Sequence, residues 1–209
     1  MKALPTNQLE LEIQTQGYNL VAGIDEVGRG PAAGPVTIAA VILQPDAKFE
    51  GLQDSKLVSP KRRLDLDRQI RQQAIAIGIG WASSRYIDEK GVTAALRFAG
   101  SQAINQLSVS PNALILDGVH NYLMLPCHTV TMAKADQTST CVAAASIIAK
   151  VARDRYMELL HESYPQYGFA GHKGYLAASH MEALRQYGPS PHHRYSWAPV
   201  REVARAFDH

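Results

Sequence analysis

The sequence predicts an α/β or α+β domain built around a central sheet. Three observations carry that prediction. Short β-branched, apolar runs separated by Gly and Pro turns occupy the chain up to residue 132, with the length and spacing of strands. The run Val142-Ala143-Ala144-Ala145-Ser146-Ile147-Ile148-Ala149 is apolar or small nearly all round, which marks a buried helix. Helices dominate after the strands, and 209 residues suffice for one domain with a sizeable mixed core.

The elements follow in order. Residues 1–18 are polar and form a short helix or an extension. Residues 20–25 and 35–43 are β-branched runs joined by a Gly/Pro turn, hence adjacent antiparallel strands. Asp54-Ser55-Lys56 lies in a loop. Ser59 then caps a helix running to about residue 74, with Pro60 at its first position. Ile75 to Ser83 reads as a third strand, Val92 to Leu107 as a helix and Ala113 to Gly118 as a fourth strand carrying Asp117 at its end. Thr129 to Met132 is a short fifth strand. Thr138 or Ser139 caps the long helix, which turns charged and amphipathic before ending near Ser163. A further helix from about Leu176 to Tyr187 precedes a Pro-, His- and Arg-rich tail.

Composition narrows the class without choosing a function. A hydrophobic share of 46% and a charged share of 19% belong to an ordinary globular protein. A net charge of +2 permits a nucleic-acid partner but does not argue for one. The local basic clusters Lys61-Arg62-Arg63, Lys150 with Arg153 and Arg155, His172-Lys173 and His192-His193-Arg194 each read as solvated surface. Cys127 and Cys141 have neither CxxC nor zinc-type spacing and read as buried free thiols in a reducing compartment. No secretory run opens the chain, and no apolar stretch reaches the roughly 18 residues of a membrane span, so the expected setting is cytoplasmic.

The chemistry-bearing residues are acids at strand ends. Asp25 and Glu26 close the first strand, Asp117 closes the fourth, and Asp136 stands just before the long helix. Strand residues alternate faces, so Asp25 and Glu26 start on opposite sides and need a twist or bulge to reach one cluster. Four such carboxylates make the oxygen-rich setting that Mg²⁺ or Mn²⁺ requires. Two ions about 3.5–4 Å apart would clamp a phosphodiester and activate a water. Asp136 is equally well placed as a metal ligand or as a cap-like support for helix-start amides. Gly28-Arg29-Gly30 precedes Pro31, Pro35 and a β-branched run, so a strand follows it and a dinucleotide cradle is disfavoured. Glycines that bring backbone close to a ligand suit a ribose 2′-hydroxyl, with Arg29 on a phosphate.

Over residues 19–200 the chain resembles ribonuclease HII, the type 2 ribonuclease H family. The blocks that carry the resemblance are Gly23-Ile24-Asp25-Glu26-Val27-Gly28-Arg29-Gly30-Pro31 with Gly34-Pro35-Val36, Asp54-Ser55-Lys56, Leu116-Asp117-Gly118, and Lys134-Ala135-Asp136 leading into Ala144 to Val151 and Arg153-Asp154-Arg155. Tyr164-Pro165, Tyr167-Gly168-Phe169, His172-Lys173-Gly174-Tyr175 and His193-Arg194 with Ser196 complete them.

The resemblance implies a ribonuclease H-like fold, a central mixed β-sheet flanked by helices with a helical C-terminal segment. It implies one catalytic domain over 19–209, with 165–209 as the substrate-contacting segment and 1–18 as an N-terminal extension. The implied activity is endonucleolytic hydrolysis of RNA in RNA–DNA hybrids, and cleavage 5′ to single ribonucleotides in duplex DNA, leaving 3′-hydroxyl and 5′-phosphate ends. The catalytic, metal-holding acids map onto Asp25, Glu26, Asp117 and Asp136, with two Mn²⁺ or Mg²⁺ ions and no histidine base. Gly28, Arg29 and Gly30 would sense the 2′-hydroxyl, Tyr175 would stack on the deoxyribose beyond the junction, and Lys56 would meet a phosphate. The chain departs from the family pattern at Leu57, Leu176-Ala177 and Tyr195, departures expected to alter affinity or salt dependence. No glutamine-plus-paired-aromatic sliding-clamp motif is evident, and a monomer is expected.

Overall fold

A computed structural model describes residues 4–207. In chain order its regular elements begin with α1 (Gln8–Thr15), β1 (Val21–Val27), β2 (Val36–Leu43), α2 (Pro60–Gln73) and β3 (Ala74–Ala82). They continue with α3 (Ser84–Lys90), α4 (Val92–Asn105), β4 (Ala113–Asp117), β5 (His128–Met132) and α5 (Thr140–Ser163). The C-terminal segment holds α6 (Phe169–His172), α7 (Ala178–Tyr187) and α8 (Ala198–Phe207).

The sheet is mixed, in the order β3-β2-β1-β4-β5. β1 runs antiparallel to β2 and parallel to β4, while β2–β3 is antiparallel and β4–β5 parallel. Period-2 alternation along β2 divides the core. Val36, Ile38, Ala40 and Ile42 join α4 residues Leu96, Ala99 and Ala103 on one face. Ala39 and Val41 meet Leu66 and Ile70 of α2 and the apolar half of α5 on the other. A strand sequence buried on both faces reads as a continuous apolar run, as β2 does.

Gly23 lets α5 lie directly on β1: a Cβ there would fall 2.2 Å from the Cys141 carbonyl carbon and 2.4 Å from the Val142 nitrogen. The central strand and the start of the buried helix are thereby locked at close range. Ser139 caps α5 by accepting from the Val142 amide, and Ser59 caps α2 through the Arg62 amide, with Pro60 following.

Helices α3, α6 and α8 depart from the sequence reading. Ser83 ends the third strand because its side chain caps α3, accepting from the Tyr86 amide. The tail folds as α8, whose Val200 is buried against the cluster of Phe169, Tyr167 and Leu184. Glu10 and Ile13 of α1 are also buried, with Ile13 2% exposed against Val21, Ile115 and Val142.

Candidate active site

The register decides which acids meet. Ile24 pairs with Leu116 in the parallel β1–β4 ladder, so Asp25 and Asp117 lie at adjacent carboxyl ends. Alternation then separates the neighbours. Asp25, opposite Ala39, faces α5, and Glu26, opposite Ile38, faces the α4 side. No bulge intervenes, since the β1–β2 ladder runs unbroken from Gly23↔Val41 to Val27↔Thr37. Of the twist or bulge expected from the sequence, no bulge is present in this ladder, because the glycines follow the strand and do not interrupt it.

Each acid has a defined partner. Asp25 Oδ1 accepts from the Glu26 amide at 2.7 Å. Glu26 Oε1 pairs with Arg29 Nη1 at 3.1 Å, and its Oε2 accepts from the Tyr122 hydroxyl at 3.4 Å. Asp117 Oδ1 accepts from the Ala135 amide at 2.8 Å, which places the turn carrying Asp136 directly beside Asp117. Asp136 sits in a 3-10 turn over Ala135–Gln137, and the helix cap is Ser139.

The acids repel one another in a poorly solvated place. Burial first, then the charges of Glu26 and Asp117, push the Asp25 carboxyl well above the usual carboxylate range. Burial also raises Glu26, against the pull of Arg29. Asp136 is pushed up to about 6 by burial, then by Asp54 and Asp117. Burial pulls the Lys56 ammonium down, but Asp54, Asp25, Asp136 and Asp117 together outweigh it and raise its pKa. Lys56 thus lies in the field of the whole cluster.

Among the described residues, no three His, Cys, Asp or Glu side chains stand close enough to hold one ion as they are placed. The donor set nonetheless fits a hard divalent cation: every donor is oxygen, and a cation would offset the burial, and the repulsion added to it, that raise three of the acids. Their present partners hold them apart, Glu26 being turned to Arg29 and Tyr122.

Asp25, Glu26, Lys56, Ser146 and Tyr175 line one cleft, and Arg29, Arg97, Asp117, Tyr122 and Lys134 line the adjoining one. Asp136 lines neither and reaches the cluster through Asp117. Tyr175 is 49% exposed, and its ring approaches Gly30. Gly28 adopts φ +91° where β1 ends, and a side chain there would strike Arg153 and the Pro35 carbonyl.

Two arginines brace this turn. Arg194 donates to the carbonyls of Gly28, Arg29 and Gly34, and Arg153 to those of Ala33, Pro35 and Lys173. Both are fully buried, as is His193 at 1% exposure. The sequence reading of these positions as solvated surface is overturned, because backbone carbonyls satisfy each buried guanidinium fork. His180 and His193 share an Nε2–Nε2 hydrogen bond of 2.9 Å in the C-terminal core. Of the two cysteines, both free, Cys141 is buried and Cys127 is half-buried.

The sequence reading missed Asp54 beside Asp136, Ser146 beside Asp25, and Tyr122 on Glu26. Asp54 left a signal, two residues before Lys56 in the same block; Tyr122 left none, since its loop follows no motif.

The ribonuclease HII family model matches residues 22–200. Ribonuclease HII of Geobacillus kaustophilus is 50% identical over 197 residues, covering 94% of this chain and 75% of its own. The ribonuclease H2 of Pyrococcus horikoshii superposes with a TM-score of 0.75 at 28% identity, over 90% of this chain and 99% of that one. The RNase HII of Archaeoglobus fulgidus, solved as a complex with PCNA, gives 0.72 at 28% identity over 85% and 95%. Motif blocks, sheet order and sequence identity agree, and the chain belongs to the ribonuclease HII family.

Proposed function

We propose that the chain is a metal-dependent endoribonuclease that hydrolyses the RNA strand of RNA–DNA hybrids and cuts on the 5′ side of single ribonucleotides in duplex DNA. The observation that carries this reading is the gathering of Asp25, Glu26, Asp117 and Asp136 beside an exposed Arg29 and Tyr175.

In this reading the four acids hold Mn²⁺ or Mg²⁺, and such ions, when bound in pairs, supply the attacking water and offset charge on the leaving oxygen. Asp25 and Asp117 contribute from adjacent strand ends, and Asp136 from the turn held by Asp117. Arg29, 61% exposed at its side chain, exchanges Glu26 for a substrate phosphate. The carbonyls of Gly28 and Arg29 are taken up by Arg194, which stiffens the turn that reads the 2′-hydroxyl. Lys56 meets a phosphate, and Tyr175 stacks on the adjoining deoxyribose. The buried imidazoles of His180 and His193 take no part in proton transfer. Free cysteines accord with a reducing, cytoplasmic setting, and the protein acts as a monomer without a sliding-clamp motif.

A cleavage assay tests the proposal directly. Duplex DNA carrying one ribonucleotide and a long RNA–DNA hybrid are compared in Mg²⁺ and in Mn²⁺. Cuts leaving a 3′-hydroxyl on the 5′ side of the ribonucleotide are expected. Absence of cutting under every condition would leave a non-catalytic nucleic-acid-binding module.

A further inference from the structure

Helix α1 lies away from the cleft, yet it reaches the turn that carries Asp136. The Thr6 amide donates to the Thr138 carbonyl at 2.9 Å, and the Thr6 carbonyl accepts from the Thr140 amide at 3.1 Å. Glu10, only 5% exposed, accepts through Oε1 from the Ser139 hydroxyl at 2.7 Å and from the Cys141 amide at 2.8 Å. Ser139 itself accepts from the Val142 amide at 3.2 Å. Three first-turn amides of α5 are thus satisfied, Val142 by the helix's own cap, Cys141 by the Glu10 carboxylate and Thr140 by the Thr6 carbonyl.

The opposite side of the same turn is tied to the acids, through the Ala135 amide on Asp117 Oδ1 at 2.8 Å. The Ser139 amide closes the turn onto the Ala135 carbonyl at 2.8 Å. Asp136 therefore sits in a segment gripped from two directions, by Asp117 and by α1. The grip is not a simple core contact. Among the described residues Glu10 Oε2 is buried with no hydrogen-bond partner, an arrangement that packing alone disfavours. What the carboxylate supplies is a fixed anchor at the positive end of a 24-residue helix.

We propose that Glu10, aided by the Thr6 bridge, is a positioning residue that fixes the 135–141 turn so that Asp136 presents its carboxylate beside Asp117. This rests on Asp136 being one of the catalytic acids. The role asks for no contact between α1 and substrate.

The test compares Glu10→Ala and Glu10→Gln with the unaltered protein, well below their melting temperatures. kcat and KM are measured on a single-ribonucleotide duplex, Mn²⁺ affinity by calorimetry, and amide exchange over residues 134–141. Glu10→Ala is expected to lower kcat and Mn²⁺ affinity about 10-fold, with KM little changed and exchange in the turn accelerated. Glu10→Gln, which keeps an acceptor oxygen for Ser139 and Cys141, is expected to restore most of both. Glu10→Ala with unaltered kcat and Mn²⁺ affinity overturns the proposal. If Glu10→Ala does not fold, Thr6→Pro removes the Thr6 donor instead, and unaltered kcat and affinity there overturn it equally. Asp136→Asn separates the two readings: a fully active Asp136→Asn refutes the catalytic assignment, whereas a dead Asp136→Asn with a fully active Glu10→Ala refutes only the positioning role.

Discussion

Glu26 shows how one residue serves two states. Its carboxylate stands between Arg29 and Tyr122, and the ion pair to an arginine 61% exposed is worth under about 1 kcal/mol. So weak a contact is easily exchanged for a phosphate. Arg29→Ala is therefore expected to leave the fold intact while reducing the preference for a ribonucleotide-bearing duplex over an all-DNA one. Titrating both duplexes checks this, and an unchanged ratio of affinities would count against the reading turn. Asp117 is held differently, by the Ala135 amide, and Asn keeps an oxygen for that donor. Asp117→Asn is expected to abolish cleavage while changing stability by less than about 1 kcal/mol, as read by thermal melting beside the cleavage assay. Full activity in that variant would remove the two-metal mechanism.

The C-terminal helices make the sharpest prediction at the level of elements. His180 and His193 bond to each other while neutral, and burial lowers their pKa values to about 4 and about 3. A folded-state value below the unfolded one, about 6.5, means that the unfolded chain binds protons first as pH falls. The stability held in this pair is complete above about pH 6.5 and is lost progressively toward about pH 3, roughly 2 kcal/mol for each histidine by pH 5. Melting curves at pH 7.5 and pH 5 should show the drop, and His180→Gln should show a smaller one. An equal drop in both would assign the acid sensitivity elsewhere. The sequence announced the elements that carry their own signals: Ser59-Pro60 for α2, Thr138 or Ser139 for α5, and the continuous apolar run of β2. It hid α8 and α3, because a Pro- and Arg-rich composition conceals a helix whose stability comes from burying Val200, and because Ser83 reads as strand until its cap is seen. The places of Asp25, Glu26 and Asp117 at strand ends, and of Asp136 just before the long helix, were legible, but the charge of Arg153 and Arg194 was misleading. Carbonyls that satisfy a buried guanidinium leave no mark in a sequence.

At the scale of the whole molecule, the site depends on how closely α5 sits on β1. Gly23→Ala would drive a Cβ into the Cys141 and Val142 backbone, shifting the helix start that follows Asp136. A loss of roughly 1–3 kcal/mol in stability is expected, with activity falling beyond what the unfolded fraction explains. Circular-dichroism melts together with cleavage rates check this, and wild-type values for both would show that the close approach is dispensable. The bracing arginine carries a consequence in time as well as in space. Arg194 lies 166 residues beyond Gly28, and its guanidinium closes the turn at Gly28 and Arg29. A chain emerging from the ribosome thus presents Asp25, Glu26, Asp117 and Asp136 before the residue that braces the proposed reading turn. A chain lacking Arg194 would carry the proposed catalytic acids while the turn at Gly28 and Arg29 went unbraced by that guanidinium.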